Sequence, residues 1–391
     1  MRVQLWSYNY DPEPLGIAPV STIWAKAMTA RGYEVEVVAA HPHYPKPDWG
    51  TRVAPYREVR DGVPVTRLPL LIGRSTRRQR MLQELSFLTA QTMASPFLGQ
   101  PDAIISVSPS FPALLPAMLA SKARRIPWYI WLQDILPDGA ATTGYVDRQS
   151  PIYRLSRRLE SSSYESARGI IVLSESFRDN LRVKGVPDSK ISLAYNPATL
   201  PVESVYPDKP NLDSPRILCI GNIGKSQGLA AIVRDFEGND DLAKRGARLV
   251  ITGTGVAEEE VRSAIRSDRV DMPGLLPRDE LEAEFRRATL AAVTQSYDEG
   301  EFNVPSKLMN YLAAGIPVVA SVRPESEAAR IIEASRSGWI AGPGEFGSTI
   351  GKALADPASL VSRSRNAAEF SSAKLTPEAL ADRFDDILRR N

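Results

Sequence analysis

Residues 304–315 read VPSKLMNYLAAG and lead into the apolar run IPVVAS. Pro305 suits the first turn of a helix and Asn303 suits its cap. The unpaired N–H groups and positive dipole end of such a helix favour an anion. Ser306 adds a hydroxyl there and Lys307 a positive charge, so the chemistry implied is the holding of a phosphate or diphosphate. A second stretch, IGNIGKSQG at 220–228, is a strand end followed by a loop with three glycines and one lysine, Lys225. Gly221, Gly224 and Gly228 let backbone N–H groups approach a phosphate. The stretch is neither a GxxxxGK[ST] loop nor a GxGxxG fingerprint, and alone it equally describes a plain strand-to-helix turn. Two phosphate-suited features in one half of a chain say more than either.

The first half offers carboxylates and imidazoles. WLQDILPD at 131–138 sets Asp134 and Asp138 just past an apolar strand. A carboxylate there could take a proton from a hydroxyl, or it could cap the segment that follows. His41 and His43 stand in HPHYP, a loop that either touches a substrate or has no task. Glu160 and Glu165, in RRLESSSYESA, read as a solvated helix face.

These residues need a scaffold, and the hydropathy pattern supplies one. VQLWSYNY (3–10), a turn, a helical period over 21–32 ending on Gly32, and YEVEVVAA (33–40) make a strand–helix–strand unit of a parallel α/β sheet. DAIISVS, PWYIWLQD and GIIVLS extend it. At 196–215 the texture changes to a linker with five prolines. RILCIGNIG then begins a second series, continued by RLVITGTG, LAAVTQS, GIPVVAS and GWIAGPG. The expectation is two tandem Rossmann-like doubly wound domains, 1–200 and 215–375. A final amphipathic helix at 376–391 is expected to pack back on the first domain. Such sheets bind ligands at the carboxyl ends of their strands.

The chain has 391 residues and a net charge of +2. Residues 1–200 carry 24 Lys and Arg against 17 acids, or +7; residues 201–391 carry 24 against 29, or −5. The first half therefore favours an anionic partner. RLPLLIGRSTRRQRM (67–81) holds five arginines and no acid, with leucines between them. Arg74, Arg77, Arg78 and Arg80 could meet anionic headgroups while Leu70, Leu71 and Ile72 insert; a charged loop before a core helix is the plainer alternative. Nucleic acid is not expected, because aromatics do not interleave with these charges. One cysteine, Cys219, excludes an internal disulfide and fits a reducing compartment, and with two histidines it makes a zinc site improbable. No signal peptide is visible, and no apolar run reaches the length of a membrane span.

With IGNIGKSQGL, GTG (253–255), VDMPGLLPRDEL (270–281) and VPSKLMNYLAAGIPVVAS, the chain resembles the family 4 glycosyltransferases. YDPEPLGIAP, HPHYP, WLQDILPD and VLSESFRDNL resemble the branch that builds bacterial surface polysaccharides, including colanic-acid and O-antigen transferases such as N-acetylfucosamine transferases. The resemblance covers nearly the whole chain. It implies a GT-B fold and a retaining, metal-independent transfer from a nucleotide sugar, UDP-linked by expectation. It further implies an undecaprenyl-diphosphate-linked saccharide as acceptor and a cytoplasmic location peripheral to the inner membrane, in lipopolysaccharide or related synthesis. Gly16 matches the family glycine after the first strand. Gly253, Met272 and Leu275 fall in donor-binding motifs. Three positions depart from the pattern. Asn222 and Gln227 stand where many members have arginine and lysine, with Lys225 between them. Asn310 stands where a glutamate would hold the ribose, and the first family glutamate falls at Phe302, beside Glu299 and Glu301. A one-residue shift gives Glu301 to the sugar pocket. Asp134 sits where relatives approach the acceptor hydroxyl. No Asp-x-Asp pair is present to hold a cation, which leaves Lys225, Lys307, the loop and the dipole to balance the leaving diphosphate. A nucleotide-sugar epimerase of the same fold, or a binding protein with a decayed donor site, are the competing expectations.

Overall fold

The computed structural model describes residues 1–14, 16–44, 54–73, 76–108, 111–135, 149–200, 210–297 and 306–390. The chain divides into two compact units, Met1–Pro197 with Pro377–Asn391, and Ala198–Thr376.

The first unit is built on β1 (Arg2–Ser7), β2 (Glu34–Ala40), β3 (Tyr56–Arg60), β4 (Val63–Leu68), β5 (Ala103–Ser108), β6 (Trp128–Leu132), β7 (Gly169–Val172) and β8 (Ile191–Leu193). The sheet order is β3-β4-β2-β1-β5-β6-β7-β8. All pairs are parallel except β3 and β4. That hairpin turns on Asp61 and Gly62, with φ of 48° and 82°, the positive pair a two-residue hairpin demands. β5, β6 and β7 are buried throughout, which is why their sequences are continuous apolar runs. The helices are α1 (Ala18–Ala30), α2 (Arg77–Ala94), α3 (Phe111–Arg124), α4 (Pro151–Ser166) and α5 (Glu175–Val183). α2 opens on a capping box between Thr76 and Gln79.

The last helix, α14 (Pro377–Arg389), belongs to this unit. Its apolar face, Leu380, Ala381, Phe384, Ile387 and Leu388, joins the core of α1 and the sheet. The Phe384 ring lies 5.4 Å from Trp24 of α1 and 4.9 Å from Trp131 of β6, edge-on to both. Arg383 adds a bond from Nε to the Leu193 carbonyl, and Arg31 pairs with Asp382.

Glu160 differs from its expected solvated position. It is 2% exposed, and its carboxylate takes bonds from Lys184 Nζ at 2.7 Å and the Tyr164 hydroxyl at 3.0 Å. A buried carboxylate needs such partners, and Lys184 lies beyond the end of α5, too far along the chain for a helical pattern to announce it. Glu165 is exposed.

The second unit holds β9 (Arg216–Ile220), β10 (Arg248–Thr252), β11 (Val270–Gly274), β12 (Leu290–Thr294), β13 (Val318–Ser321) and β14 (Gly338–Ala341). All its pairs are parallel, in the order β11-β10-β9-β12-β13-β14. The helices are α6 (Leu229–Glu237), α7 (Asp240–Lys244), α8 (Glu258–Ala264), α9 (Arg278–Arg287), α10 (Ser306–Ala313), α11 (Glu327–Ser335), α12 (Phe346–Leu354) and α13 (Pro357–Lys374). Strand order reverses between β9 and β12, and the crevice beyond their carboxyl ends is where a doubly wound sheet takes its ligand. Both units are doubly wound α/β layers. Among the described residues no helix is long and apolar enough to cross a membrane.

Candidate active site

At the β9–β12 reversal the second unit brings three segments together. The loop after β9 is held backbone to backbone: Gly221 N–H donates to Thr252, Ile223 to Thr254, and Gly253 to Gly274. The approach is so close that a Cβ at Gly253, whose φ is 141°, would stand 1.8 Å from the Gly221 carbonyl oxygen, and one at Gly255 would stand 2.3 Å from that of Ile223. Asn222 lies across this loop, its carboxamide 2.8 Å from where a Cβ of Gly224 would be. Residues Lys225–Gln227 form one 3-10 turn ending on Gly228 at φ 61°. The loop after β12 closes on it, with Ser296 N–H donating to the Ser226 carbonyl at 2.6 Å.

The third segment is the N-terminus of α10. Its buried side, Leu308, Met309, Tyr311 and Leu312, fixes the helix against the sheet. Tyr311 pins the register, because its hydroxyl accepts the Ile220 N–H at 2.8 Å at the end of β9. The far end stops on Gly315, φ 67°, with its N–H on Leu312 and that of Ile316 on Tyr311, the left-handed stop a helix terminus favours. At the start of this helix, Lys307 faces the β9 loop. Lys307 Nζ donates to Gln227 Oε1 at 2.7 Å. Lys225 is exposed beside them, as are Ser306, Gly221 and Asn222. Lys307 thus meets the glycine loop after β9, with Lys225 exposed on that loop and Ser306 exposed at the start of α10, a set of groups suited to a diphosphate.

In the first unit the carboxyl edge of the sheet carries Gly16, His41, His43 and Asp134. Gly16 is an exposed turn at φ 68° just before α1, with open space where a side chain would point. Glu13, buried in the same loop, organises the edge. Its Oε1 accepts the backbone N–H of His43 at 2.7 Å and of Tyr44 at 2.8 Å, and its Oε2 accepts from Asn9 Nδ2 at 2.7 Å. The His43 ring is enclosed, 3.3 Å from Glu13 Oε1, with Nδ1 2.9 Å from the His41 carbonyl and its centroid 4.7 Å from that of the Tyr8 ring, in an edge-on pair. Asp134 is half-buried past the end of β6. Burial raises its carboxyl above the ordinary carboxylate range, and the Ile135 backbone N–H offsets part of that rise.

Comparison with known proteins decides what such a pair of units is. Residues 16–197 match the glycosyl transferase 4-like domain and residues 214–356 match the glycosyl transferases group 1 domain. The chain belongs to the family 4 glycosyltransferases. Among curated proteins this glycosyltransferase is 24% identical to WcaI of Escherichia coli, named for colanic acid biosynthesis, over 85% of this chain and 86% of that one. Among solved structures it resembles sucrose-phosphate synthase of Thermosynechococcus elongatus, with a TM-score of 0.73, 16% identity, and coverage of 100% and 98%. It also resembles Anabaena HepE in complex with UDP, with a TM-score of 0.67, 15% identity and full coverage of both chains. Both structures carry the GT-B fold that this glycosyltransferase shares.

Several expected contacts change in the folded glycosyltransferase. Asn310 is 5% exposed, and its Oδ1 accepts the backbone N–H groups of Thr199 and Leu200 at 2.9 and 3.1 Å. Its oxygen therefore ties the incoming linker, which leaves only Nδ2 for a ribose. Met272 faces the core of the second unit, not a ligand, because alternation along β11 turns it inward; Leu275, after Gly274, is exposed. His43 is sealed within its loop and does not present its ring to a substrate. Arg67, the first of the five arginines, is wholly buried, with bonds from its guanidinium to Glu58 and to the carbonyls of Ala40 and Asp11. Arg78 and Arg80 of α2 are exposed. Arg77 opens α2. Arg74, Asp138, Glu299, Glu301, Phe302, Asn303 and Pro305 lie outside the described residues. Among the described residues no three His, Cys, Asp or Glu side chains gather as metal ligands.

Two carboxylates went unread. Glu13 stands inside YDPEPLGIAP but was given no task there; its role rests on the His43 and Tyr44 backbone some thirty positions on. Glu327, 5% exposed in the first turn of α11 past β13, was foreshadowed only by its Ser326 cap.

The raised Asp134 carboxyl has two consequences. A carboxylate that takes a proton from a hydroxyl must be ionised, so if Asp134 has that role, transfer should fall as pH drops through its raised pKa. Asp134→Asn should remove that limb and lower turnover by about 10²–10⁴-fold. Stability runs the other way. The folded state binds this proton more tightly than the unfolded chain, so the side chain's contribution is present below the unfolded carboxylate value and lost as pH rises through the folded value. Melting curves across that window should show wild type losing stability relative to Asp134→Asn as pH rises. Parallel curves, with an unchanged pH–rate profile, would remove Asp134 from both roles.

Proposed function

We propose that the protein transfers a sugar from a UDP-sugar to a lipid-linked saccharide in bacterial surface polysaccharide synthesis, with retention of anomeric configuration. The carrying observation is the Lys307–Gln227 contact, which joins the α10 N-terminus to the β9 loop at the strand-order reversal. In this reading the bond from the anomeric carbon to the nucleotide oxygen breaks. The diphosphate leaves with the electron pair and is held by Lys307, Lys225, Ser306 and the backbone N–H groups. The acceptor hydroxyl oxygen bonds to the anomeric carbon, and its proton passes to Asp134. Gly16 leaves room for backbone approach. The UDP seen with HepE and the pathway named for WcaI support the donor and the setting. Exposed Arg78 and Arg80 support a peripheral position on the inner membrane, with the sites on its cytoplasmic side.

The test is incubation with labelled UDP-sugars and undecaprenyl-diphosphate-linked saccharides in EDTA, with the product anomer read by NMR. Transfer that persists in EDTA with the donor's configuration is expected. Product of opposite configuration, or transfer that EDTA abolishes, would contradict the reading. Asn310, with its oxygen turned to the linker, favours a second reading as a nucleotide-sugar-binding protein. That reading predicts saturable binding with neither hydrolysis nor transfer.

A further inference from the structure

α2 is inverted. The positions it buries, one turn apart, are Gln83, Phe87 and Gln91, each at most 2% exposed. Its outer face, with the turn that follows it, presents Met81, Leu82, Leu85, Met93 and Phe97, each 49–84% exposed. Leu71 and Ile72, in the loop before it, are also exposed. A surface helix ordinarily turns its apolar stripe to the core, and large contiguous apolar faces mark binding surfaces. The inversion has an internal cause: Gln83 bridges the Tyr8 hydroxyl and the Gly73 N–H, at 2.6 and 3.0 Å. Gln83 therefore has partners on the buried side, whereas the carboxamide of Gln91, also buried, has none among the described residues, and the apolar side stands exposed.

Between this helix and the β3–β4 hairpin runs an open cleft of about 880 Å³, lined by Tyr56, Leu68, Leu71, Ala90, Met93 and Phe97 among others. From Ser86 to Ala94 it follows about 12 Å of α2 at 1.5 Å per residue, and Phe97 in the turn beyond lengthens it. Its upper end lies at the carboxyl edge of the sheet. Leu68 closes β4 there and accepts the His41 N–H at 2.8 Å, and the Tyr56 ring stands 5.1 Å from that of His41. Arg57 lines the cleft there, and Arg78 and Arg80 are exposed about two turns before its first α2 lining residue, Ser86.

We infer that this cleft holds the hydrocarbon tail of the lipid-linked acceptor, with its anionic head at the arginine-rich end beside the acceptor-side loops. The inference rests on the proposed lipid-linked acceptor. It adds a binding site on the protein for the lipid itself. An apolar lining accounts for a chain, the arginines account for a diphosphate, and the cleft opens at the same carboxyl edge as Gly16, two strands from β4, and Asp134, four strands from it, a span of about 19 Å that the head and its saccharide would bridge.

The probe is geranylgeranyl diphosphate carrying a terminal diazirine, photolysed with the full-length protein and mapped by peptide mass spectrometry. Label on residues 77–97 and 54–57 is expected. Ala90→Trp, which fills the cleft, should cut it by about tenfold, the effect of displacing roughly two buried methylene groups. Phe97→Ser is the second variant should Ala90→Trp fail to fold, and melting curves of both report folding. Label elsewhere, or label indifferent to a folded cleft variant, would overturn the inference. So would label that excess inorganic diphosphate abolishes as fully as unlabelled geranylgeranyl diphosphate, since the head alone would then carry binding. A lipid-free dimer that either variant breaks would give the face to a second copy of the chain and also overturn it. A UDP melting shift, measured alongside, reports the donor site independently. UDP binding without cleft label sinks only this inference; cleft label without UDP binding sinks only the donor reading.

Discussion

Lys307→Ala is expected to lower sugar transfer by about 10²–10³-fold, the loss of roughly 3–4 kcal/mol typical of removing one preorganised donor from a developing oxyanion. The size follows from where the charge sits. Lys307 is half-buried at the start of α10, its helix is pinned to β9 through Tyr311, and its ammonium is already oriented by Gln227. A charge held in place reorganises little when the diphosphate leaves. It is close enough to β9 to act on the buried Cys219 thiol, whose pKa burial raises and Lys307 lowers. The fold should survive, since the substitution leaves one half-buried carboxamide oxygen short of a partner, a cost of about 1 kcal/mol. Lys225→Ala should slow turnover in the same direction. Its side chain is exposed on a single 3-10 turn, so more of its field is screened and the loss should be smaller. Single-turnover rates with a UDP-sugar, for variants melting near the wild-type temperature, check both. Wild-type rates for Lys307→Ala would remove it from the mechanism.

Phe384→Ala is expected to destabilise the protein by about 3–5 kcal/mol, the range for losing a fully buried aromatic ring. Phe384 is 0% exposed, and its ring fills the space between Trp24 and Trp131. The two indoles belong to a helix and a strand held rigidly by the sheet, so collapse into the vacated volume is limited. At about 2–4 °C per kcal/mol for a domain of this size, the melting temperature of the first unit should fall by roughly 6–20 °C. A shift of a degree or less, by calorimetry, would show that α14 contributes little to the core it joins.

Both predictions concern features legible in the sequence, for local reasons. The α10 start is written in Pro, Ser and Lys over a few residues, and α14 in an apolar stripe at helical spacing. The alternation of apolar runs and helical periods likewise announces two parallel sheets. What escaped reading depends on partners far along the chain. Asn310 looked like a ribose ligand because nothing local says that its oxygen receives the backbone of residues 199 and 200. Glu160 looked solvated because Lys184 is remote, and Arg67 looked like part of a basic surface because Glu58 and the carbonyl of Ala40 claim it only once β3 and β2 flank β4. The β3–β4 hairpin was different. Its Asp61-Gly62 turn is a local signal, but β3 is short and half-exposed, and β4, though buried at five of six positions, carries a proline, a threonine and an arginine, so their apolar content did not stand out. The inverted face of α2 was the least legible feature, since a helical period alone does not say which side faces in.

The central claim is that the crevice beyond β9 and β12 binds a nucleotide sugar through Lys307 and the glycine loop. The most direct measurement is the melting temperature with UDP, GDP, ADP and their sugars, with and without EDTA, for wild type and Lys307→Ala. A ligand that binds the native state raises its apparent stability. The account predicts a rise with UDP that survives EDTA and is largely lost in Lys307→Ala. No rise with any nucleotide, or an equal rise in the variant, would contradict it.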